Sequence, residues 1–229
     1  MDILRYDHDL VILDDAYQHR KLKPGFSILL FEFQSLFTPF ITLPTGNFRD
    51  DIRASKRADI IVITKCPVYI TDEERRHIEH RIRSYNTCPI FYSQIAYSLP
   101  KELITERERA PFINQDIILF CGIANPLPLV NYLENNGNRV QLIQFPDHHN
   151  YTQSDFDKVI EAYKACQADN KVIVTTEKDK QRVEYNHFQE LPVFFIPITL
   201  NFGDQQSDIL DQFILRYVSS SSHKDSHSV

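Results

Sequence analysis

The chain has 229 residues, 42% of them hydrophobic and 24% charged, with sixteen Phe and eleven Tyr. These are the proportions of a folded globular protein with bulk for a sizeable core, and the length admits one large or two modest α/β domains. A net charge of -6 and a pI near 5.8 exclude broad electrostatic capture of nucleic acid, which needs clustered Lys and Arg in excess. Cys66, Cys88, Cys121 and Cys166 are widely spaced with no C-x-x-C pair, as expected of reduced thiols in a cytoplasmic protein rather than of a zinc site or disulfide framework. No apolar run approaches the roughly 18 residues of a membrane span, and the start lacks a signal-peptide core, so any membrane contact of this chain is expected to be peripheral.

In chain order, Asp9 to Leu13 reads as a buried strand and Ser27 to Phe31 as a second, each an aliphatic run closed by polar residues or a turn. Asp59 to Ile63 is a third. Thr71-Asp72-Glu73-Glu74 then matches a capping box opening a charged helix through about Arg83. Lys101 to Ala110 is polar and charged with Pro100 and Pro111 at its edges, which marks a domain boundary. The expected first domain is therefore 1–108. Beyond it the pattern restarts with a strand at Ile117 to Phe120, a helix from Leu127 to Asn136 stopped by Gly137, and a strand from Arg139 to Phe145. A helix from Gln153 to Cys166, strands at Val172 to Thr175 and Val193 to Pro197, and a helix from Ser207 to Val218 complete a second domain, 109–218. Residues 219–229, rich in Ser and His, read as a disordered tail. Strand and helix alternation of this kind predicts an α/β protein with mainly parallel sheets.

Asp14 and Asp15 follow directly on the first aliphatic run, where parallel α/β sheets carry ligand-binding groups. In P-loop enzymes a Walker-B aspartate in that position helps to hold Mg²⁺ against nucleotide phosphates, and hard oxygen ligands suit that ion. The alternative is that one Asp caps a turn and the other is solvated. Gln18 and His19 follow within one turn, which concentrates hydrogen-bonding groups that are unfavourable to bury without partners.

The string Asp14-Asp15-x-x-Gln18-His19 resembles the signature of the tetraacyldisaccharide 4'-kinases, lipid A pathway enzymes that phosphorylate a lipid disaccharide with ATP. Leu43-Pro44-Thr45-Gly46-Asn47-Phe48-Arg49-Asp50 is similar to that family's Leu-Pro-Ala-Gly-x-Leu-Arg-Glu segment, with Asp in place of Glu and local departures at Asn47 and Phe48. Gly122-Ile123-Ala124-Asn125-Pro126 resembles its Gly-Ile-x-Asn-Pro turn, Phe145-Pro146-Asp147-His148-His149 its Asp-His motif, and Thr176-Glu177-Lys178-Asp179 its Thr-Glu-Lys-Asp segment. Five motifs in order, from Asp9 to about Phe202, are far more specific than any one of them. The resemblance implies two α/β/α units of P-loop NTPase-like fold, the first incomplete, with ATP as co-substrate and Mg²⁺ as cofactor. It implies a location at the cytoplasmic face of the bacterial inner membrane.

Phosphoryl transfer is mostly positioning and charge stabilisation, so it needs a divalent cation, cationic groups near the transferring phosphate and a base at the attacking hydroxyl. The metal set implied is Asp14, Asp15 and Asp50. Arg49 would stabilise charge on the transferring group, with Asp50 assisting the metal or orienting Arg49; the alternative is an Arg-Asp pair that begins a helix toward Arg57. His148 would accept a proton or orient an aspartate, the alternative being a loop histidine on a backbone carbonyl, and His149 reads as surface. Glu177 and Lys178 open a short helix after a strand and would bind substrate or nucleotide, or else be a solvated helix start. Gln18 and His19 would position substrate or the metal shell.

A P-loop, G-x-x-x-x-G-K-[ST], is absent from the sequence, since none of its five glycines is followed by Lys. The family's catalytic aspartate also lies upstream of the metal strand, where Asp2, Asp7 and Asp9 are no credible equivalents. The expectation is a carboxyl-terminal portion of the kinase, inactive alone, whose partner is a missing amino-terminal half. Two other classes remain open. Asp147-His148-His149 spells the label of manganese-dependent DHH phosphoesterases, although the adjacent glycines of that family are lacking. A non-catalytic lipid- or nucleotide-binding remnant would use Phe26, Phe31, Phe33, Phe37 and Phe40 as apolar surface, unless these are core.

Overall fold

The computed structural model describes residues 10–45, 48–188 and 191–222. They form a mixed α/β protein of two compact units: one contains the residues to Ile95 and those from Leu200 onward, the other Ala96–Thr199. The chain passes between the units through β4 (Gln94–Tyr97) and β10 (Ile198–Asn201), which pair as a two-stranded ladder.

The first unit is built on a parallel sheet of β1 (Ile28–Glu32), β2 (Ile60–Thr64) and β3 (Ile90–Tyr92), in that order. Ile28 pairs with Ile60, and Ile61 with Ile90. In β2 the four residues Ile60 to Ile63 are all buried, because successive side chains point to opposite faces and both faces are covered. Ile61 and Ile63 pack with Phe31, Phe33, Leu36 and with Ile78 and Ile82 of α1 (Asp72–Arg83). Ile60 and Val62 pack on the other face with Phe91 and Leu210, beside Phe213 and Ile214 of α5 (Asp204–Ser222). The start of α1 is closed by the expected capping box, in which Thr71 and Glu74 satisfy one another's backbone N–H. Phe31 and Phe33 are core with Phe40 packed against them, Phe26 packs on the other face beside Leu210, and Phe37 stacks on His77, so this aromatic run is packing rather than an open apolar face.

The second unit holds five strands in the order β5 (Lys101–Glu102), β9 (Val193–Ile196), β8 (Lys171–Thr176), β6 (Asp116–Cys121) and β7 (Arg139–Gln144). All pairs are parallel except that of β5 with β9. Helix α2 (Leu127–Asn135) sets Leu129 and Leu133 against Ile117, Leu119, Val172 and Val174 on one face. Helix α3 (Gln153–Ala165) sets Phe156 and Val159 against Ile118, Phe120 and Ile173 on the other. Among the described residues no helix is long and apolar enough to cross a membrane.

Four expectations from the sequence change. The run at Leu10 to Leu13 is not a strand: it is irregular and exposed, with Ile12 84% accessible, because no neighbouring strand among the described residues supplies its backbone hydrogen bonds. Asp9 itself lies outside the described residues. The boundary expected at 108/109 falls instead at Ile95/Ala96, since Lys101 and Glu102, polar as they are, form an edge strand on β9 where charged side chains are solvated. The last helix closes the first unit rather than the second, because it covers the apolar Ile60–Val62–Phe91 face. Residues 219–222, expected to be disordered, continue that helix, and the remainder of the tail lies outside the described residues.

Candidate functional site

In the second unit the parallel strands β7, β6 and β8 lie side by side, and each ends in one of the singled-out motifs. Their carboxyl ends are the customary place for ligands in such a sheet. β6 runs into Gly122, β7 into Pro146-Asp147-His148, and β8 into α4 (Glu177–Lys180).

The hub is Asp179, which is fully buried. Its carboxylate accepts the Gly122 N–H at 3.0 Å and the Thr176 hydroxyl at 2.7 Å, so one side chain ties the β6 turn to the β8 turn. Gly122 is required by close approach: a Cβ there would stand 3.0 Å from the Pro146 carbonyl oxygen and 3.2 Å from His149 Cβ. The β7 loop is thereby held against the same turn, with His148 N–H donating to the Gly122 carbonyl at 3.2 Å. His148 is left-handed at φ 59, a conformation uncommon for a non-glycine residue.

On this base Lys178 Nζ donates to Asp147 Oδ1 at 2.9 Å and lies 3.4 Å from His148 Nε2, while Arg182 Nη2 lies 3.0 Å from His148 Nδ1. The Lys178 hydrogen bond holds the Asp147 carboxyl below the usual carboxylate range. Glu177 Oε2 accepts the Ile198 N–H at 3.4 Å. His149, read as surface, is instead half-buried: it stacks on Phe145 and bonds Asp155 Oδ2 at 3.0 Å. That contact, followed by those of Thr152, holds Asp155 well below the usual carboxylate range. With His149 so engaged and Asp147 on Lys178, the three adjacent residues do not present a joint metal-ligand set. Behind the site, burial and the neighbouring Asp179 charge push the Tyr151 phenol upward, and burial pushes the Cys121 thiol up to about 11. Cys66, also buried, is likewise raised to about 11, and all four cysteines are free.

In the first unit a groove of about 1770 Å³ runs between the Leu10–Leu13 segment and β1, and Asp14, Asp15, Gln18, His19, Arg49 and Asp50 all line it. The Asp14–His19 turn is anchored by Tyr17, whose hydroxyl donates to the Ala54 carbonyl at 2.8 Å, and by Arg57, which donates to the Tyr17 carbonyl at 3.1 Å. Burial of the ring raises the Tyr17 phenol. Arg49 pairs with Asp15, which is itself left-handed at φ 46. The expected pairing of Asp50 with Arg49 does not form: Asp50 lies between Arg20 at 3.4 Å and Arg57 at 3.3 Å, and Asp51, not Asp50, caps the short 3-10 helix Ile52–Arg57. Asp14, Gln18 and His19 are exposed. Gly46 and Asn47 of the Pro-Gly segment lie outside the described residues.

No group of three His, Cys, Asp or Glu side chains able to hold a metal occurs among the described residues, so Asp14, Asp15 and Asp50 do not assemble as one ligand set. Magnesium commonly takes only one or two carboxylates and completes its shell with phosphate oxygens and water, a requirement that the exposed, adjacent Asp14 and Asp15 fit. Asp179 and Arg182 were not singled out from sequence as site residues. Asp179 ends the Thr176-Glu177-Lys178-Asp179 segment, but only burial marks it as the hub, and Arg182 carries no local signal at all.

A mainly parallel α/β sheet with cationic and acidic side chains gathered at its strand ends has the general form of a ligand-binding α/β protein. The chain belongs to the tetraacyldisaccharide-1-P 4'-kinase family, whose model matches residues 2–218. It is 32% identical to a tetraacyldisaccharide 4'-kinase of Bacteroides thetaiotaomicron over 96% of this chain and 62% of the relative, and 33% identical to one of Flavobacterium johnsoniae over 91% and 59%. It thus spans about three-fifths of the length of these relatives. Among solved structures it resembles the "apo" form of LpxK from Aquifex aeolicus in complex with ATP, with a TM-score of 0.59 and 23% identity, covering 90% of this chain and 56% of that one.

Proposed function

We propose that this chain forms part of an ATP-dependent kinase that phosphorylates the 4' position of a tetraacyldisaccharide 1-phosphate in lipid A biosynthesis, at the cytoplasmic face of the inner membrane. The observation that carries this reading is the convergence of Asp147 and His148, after β7, with Lys178, after β8, across the end of the intervening β6 in a member of that kinase family. Lys178 and Glu177 contact nucleotide or substrate, Gln18 and His19 position substrate or the metal shell, and Arg49 stabilises charge on the transferring phosphoryl group. Asp14 and Asp15 would hold Mg²⁺, which supplies charge neutralisation when bound. Arg49 must leave Asp15 for that role, a step made easy by the exposure of both partners. His148 orients a carboxylate or accepts a proton.

The sequence holds no P-loop, so turnover needs a phosphate cradle from another polypeptide segment, and membrane contact by this chain is peripheral. The test supplies ATP, Mg²⁺ and the lipid acceptor to the purified chain, with and without a co-expressed P-loop-bearing half from a family member. Turnover only with the added half is expected. Turnover by the chain alone would overturn the need for a complement, and none in a complex shown to have formed would overturn the kinase reading.

A further inference from the structure

His148 has a cation at each ring nitrogen, Arg182 Nη2 at 3.0 Å from Nδ1 and Lys178 Nζ at 3.4 Å from Nε2. A guanidinium carries only donors and keeps its charge, so the Arg182 contact is a hydrogen bond only when Nδ1 offers a lone pair. Neutral imidazole has one such lone pair, which puts the ring proton on Nε2. The two cations therefore compete, each for a different tautomer.

Geometry favours Arg182. Lys178 already has an acceptor in Asp147 Oδ1 at 2.9 Å, and its approach to His148 lies beyond the ordinary hydrogen-bond range. Arg182 is the nearer, and its own backbone N–H is fixed on the Asp179 carbonyl at 2.8 Å. The His148 backbone N–H is shared between the Gly122 carbonyl and Asp147 Oδ1, which fixes where the side chain leaves the loop. The remaining charged group facing the ring, Asp147 Oδ2, stands 3.7 Å from Nε2.

We propose that Arg182 is a positioning residue that fixes His148 as the Nε2–H tautomer. Nε2 of His148 is then a hydrogen-bond donor, suited to a carboxylate or phosphate oxygen, and not the proton acceptor. Its use in phosphoryl transfer rests on the kinase reading above; the tautomer does not.

The test is long-range proton–nitrogen correlation NMR of the imidazole rings in the ¹⁵N-labelled chain at about pH 8.5, above the ordinary histidine range. The His148 signals are assigned by their loss in His148→Gln. A pyrrole-type Nε2 and pyridine-type Nδ1 are expected in the unaltered chain. Arg182→Met should lower the Nε2–H to Nδ1–H ratio by roughly fivefold, the change that one ordinary hydrogen bond produces, whereas Lys178→Met should not lower it. Circular dichroism checks the fold, and if Arg182→Met does not fold, Arg182→Leu carries the comparison, since it too removes every side-chain donor. An Nδ1–H pattern in the unaltered chain, or an unchanged ratio in the folded Arg182 variant, overturns the assignment. Absence of kinase turnover does not alter these spectra and bears only on the function proposed above.

Discussion

The motifs of the second unit stand on three hydrogen-bonded strand ends and share a buried carboxylate, whereas those of the first hang on irregular chain beside the edge strand β1 and are held by exposed ion pairs. The difference lies in what can be fixed by burial. Around Asp179 each hydrogen bond is shielded from water, so moving one partner leaves a polar group unsatisfied and the geometry resists change. Around Asp15 and Arg49 water can replace either partner, which suits a set of side chains that must exchange an internal pairing for a ligand.

The largest effect expected from breaking this contrast is that of Asp179→Ala. It leaves the Gly122 N–H and the Thr176 hydroxyl without their acceptor and should cost about 3 kcal/mol, read by urea unfolding, whereas a loss under about 1 kcal/mol would show that the hub is not a hub. Acid comes next. The folded Asp155 carboxyl is depressed below its unfolded value, so its contribution to stability is complete above the ordinary carboxylate range near pH 4 and is lost as pH falls through the lower folded value. Asp155→Asn should therefore flatten the decline of thermal stability below about pH 4, and an unaltered slope would contradict the assignment. The smallest effect belongs to the first unit. With side chains 67% and 62% exposed, Asp15 and Arg49 should show a coupling of about 0–1 kcal/mol in a double-mutant cycle, further reduced by salt, and a larger salt-independent value would mean that the pair is structural.

Much of the second unit was legible beforehand. The strands at Ile117, Arg139 and Val172 and the helices at Leu127 and Gln153 each carry a local pattern, an aliphatic run or a 3.6-residue period with a stop, and each recurs within a residue or two. Leu10 to Leu13 carries the same kind of pattern and fails, because an aliphatic run states a preference for burial and supplies no partner. Lys101 and Glu102 fail in the opposite sense: a charged stretch reads as a linker, yet an edge strand tolerates charge on its solvated side. The pairing of Asp50 with Arg20 and Arg57 rather than Arg49 joins residues thirty and seven positions apart, a choice invisible to any local pattern.

By itself the sequence determined the class of fold, the family and the stations of five motifs, since strand and helix periods and short ordered strings are local properties of the chain. Only the tertiary structure decided which stations meet. It buried Asp179 so that Gly122 and Thr176 share one carboxylate, brought Arg182 to His148, and returned the last helix to the first unit. Those are contacts between residues distant in sequence, set by which apolar faces need covering and which buried polar groups need partners, and neither demand is visible until the chain is folded.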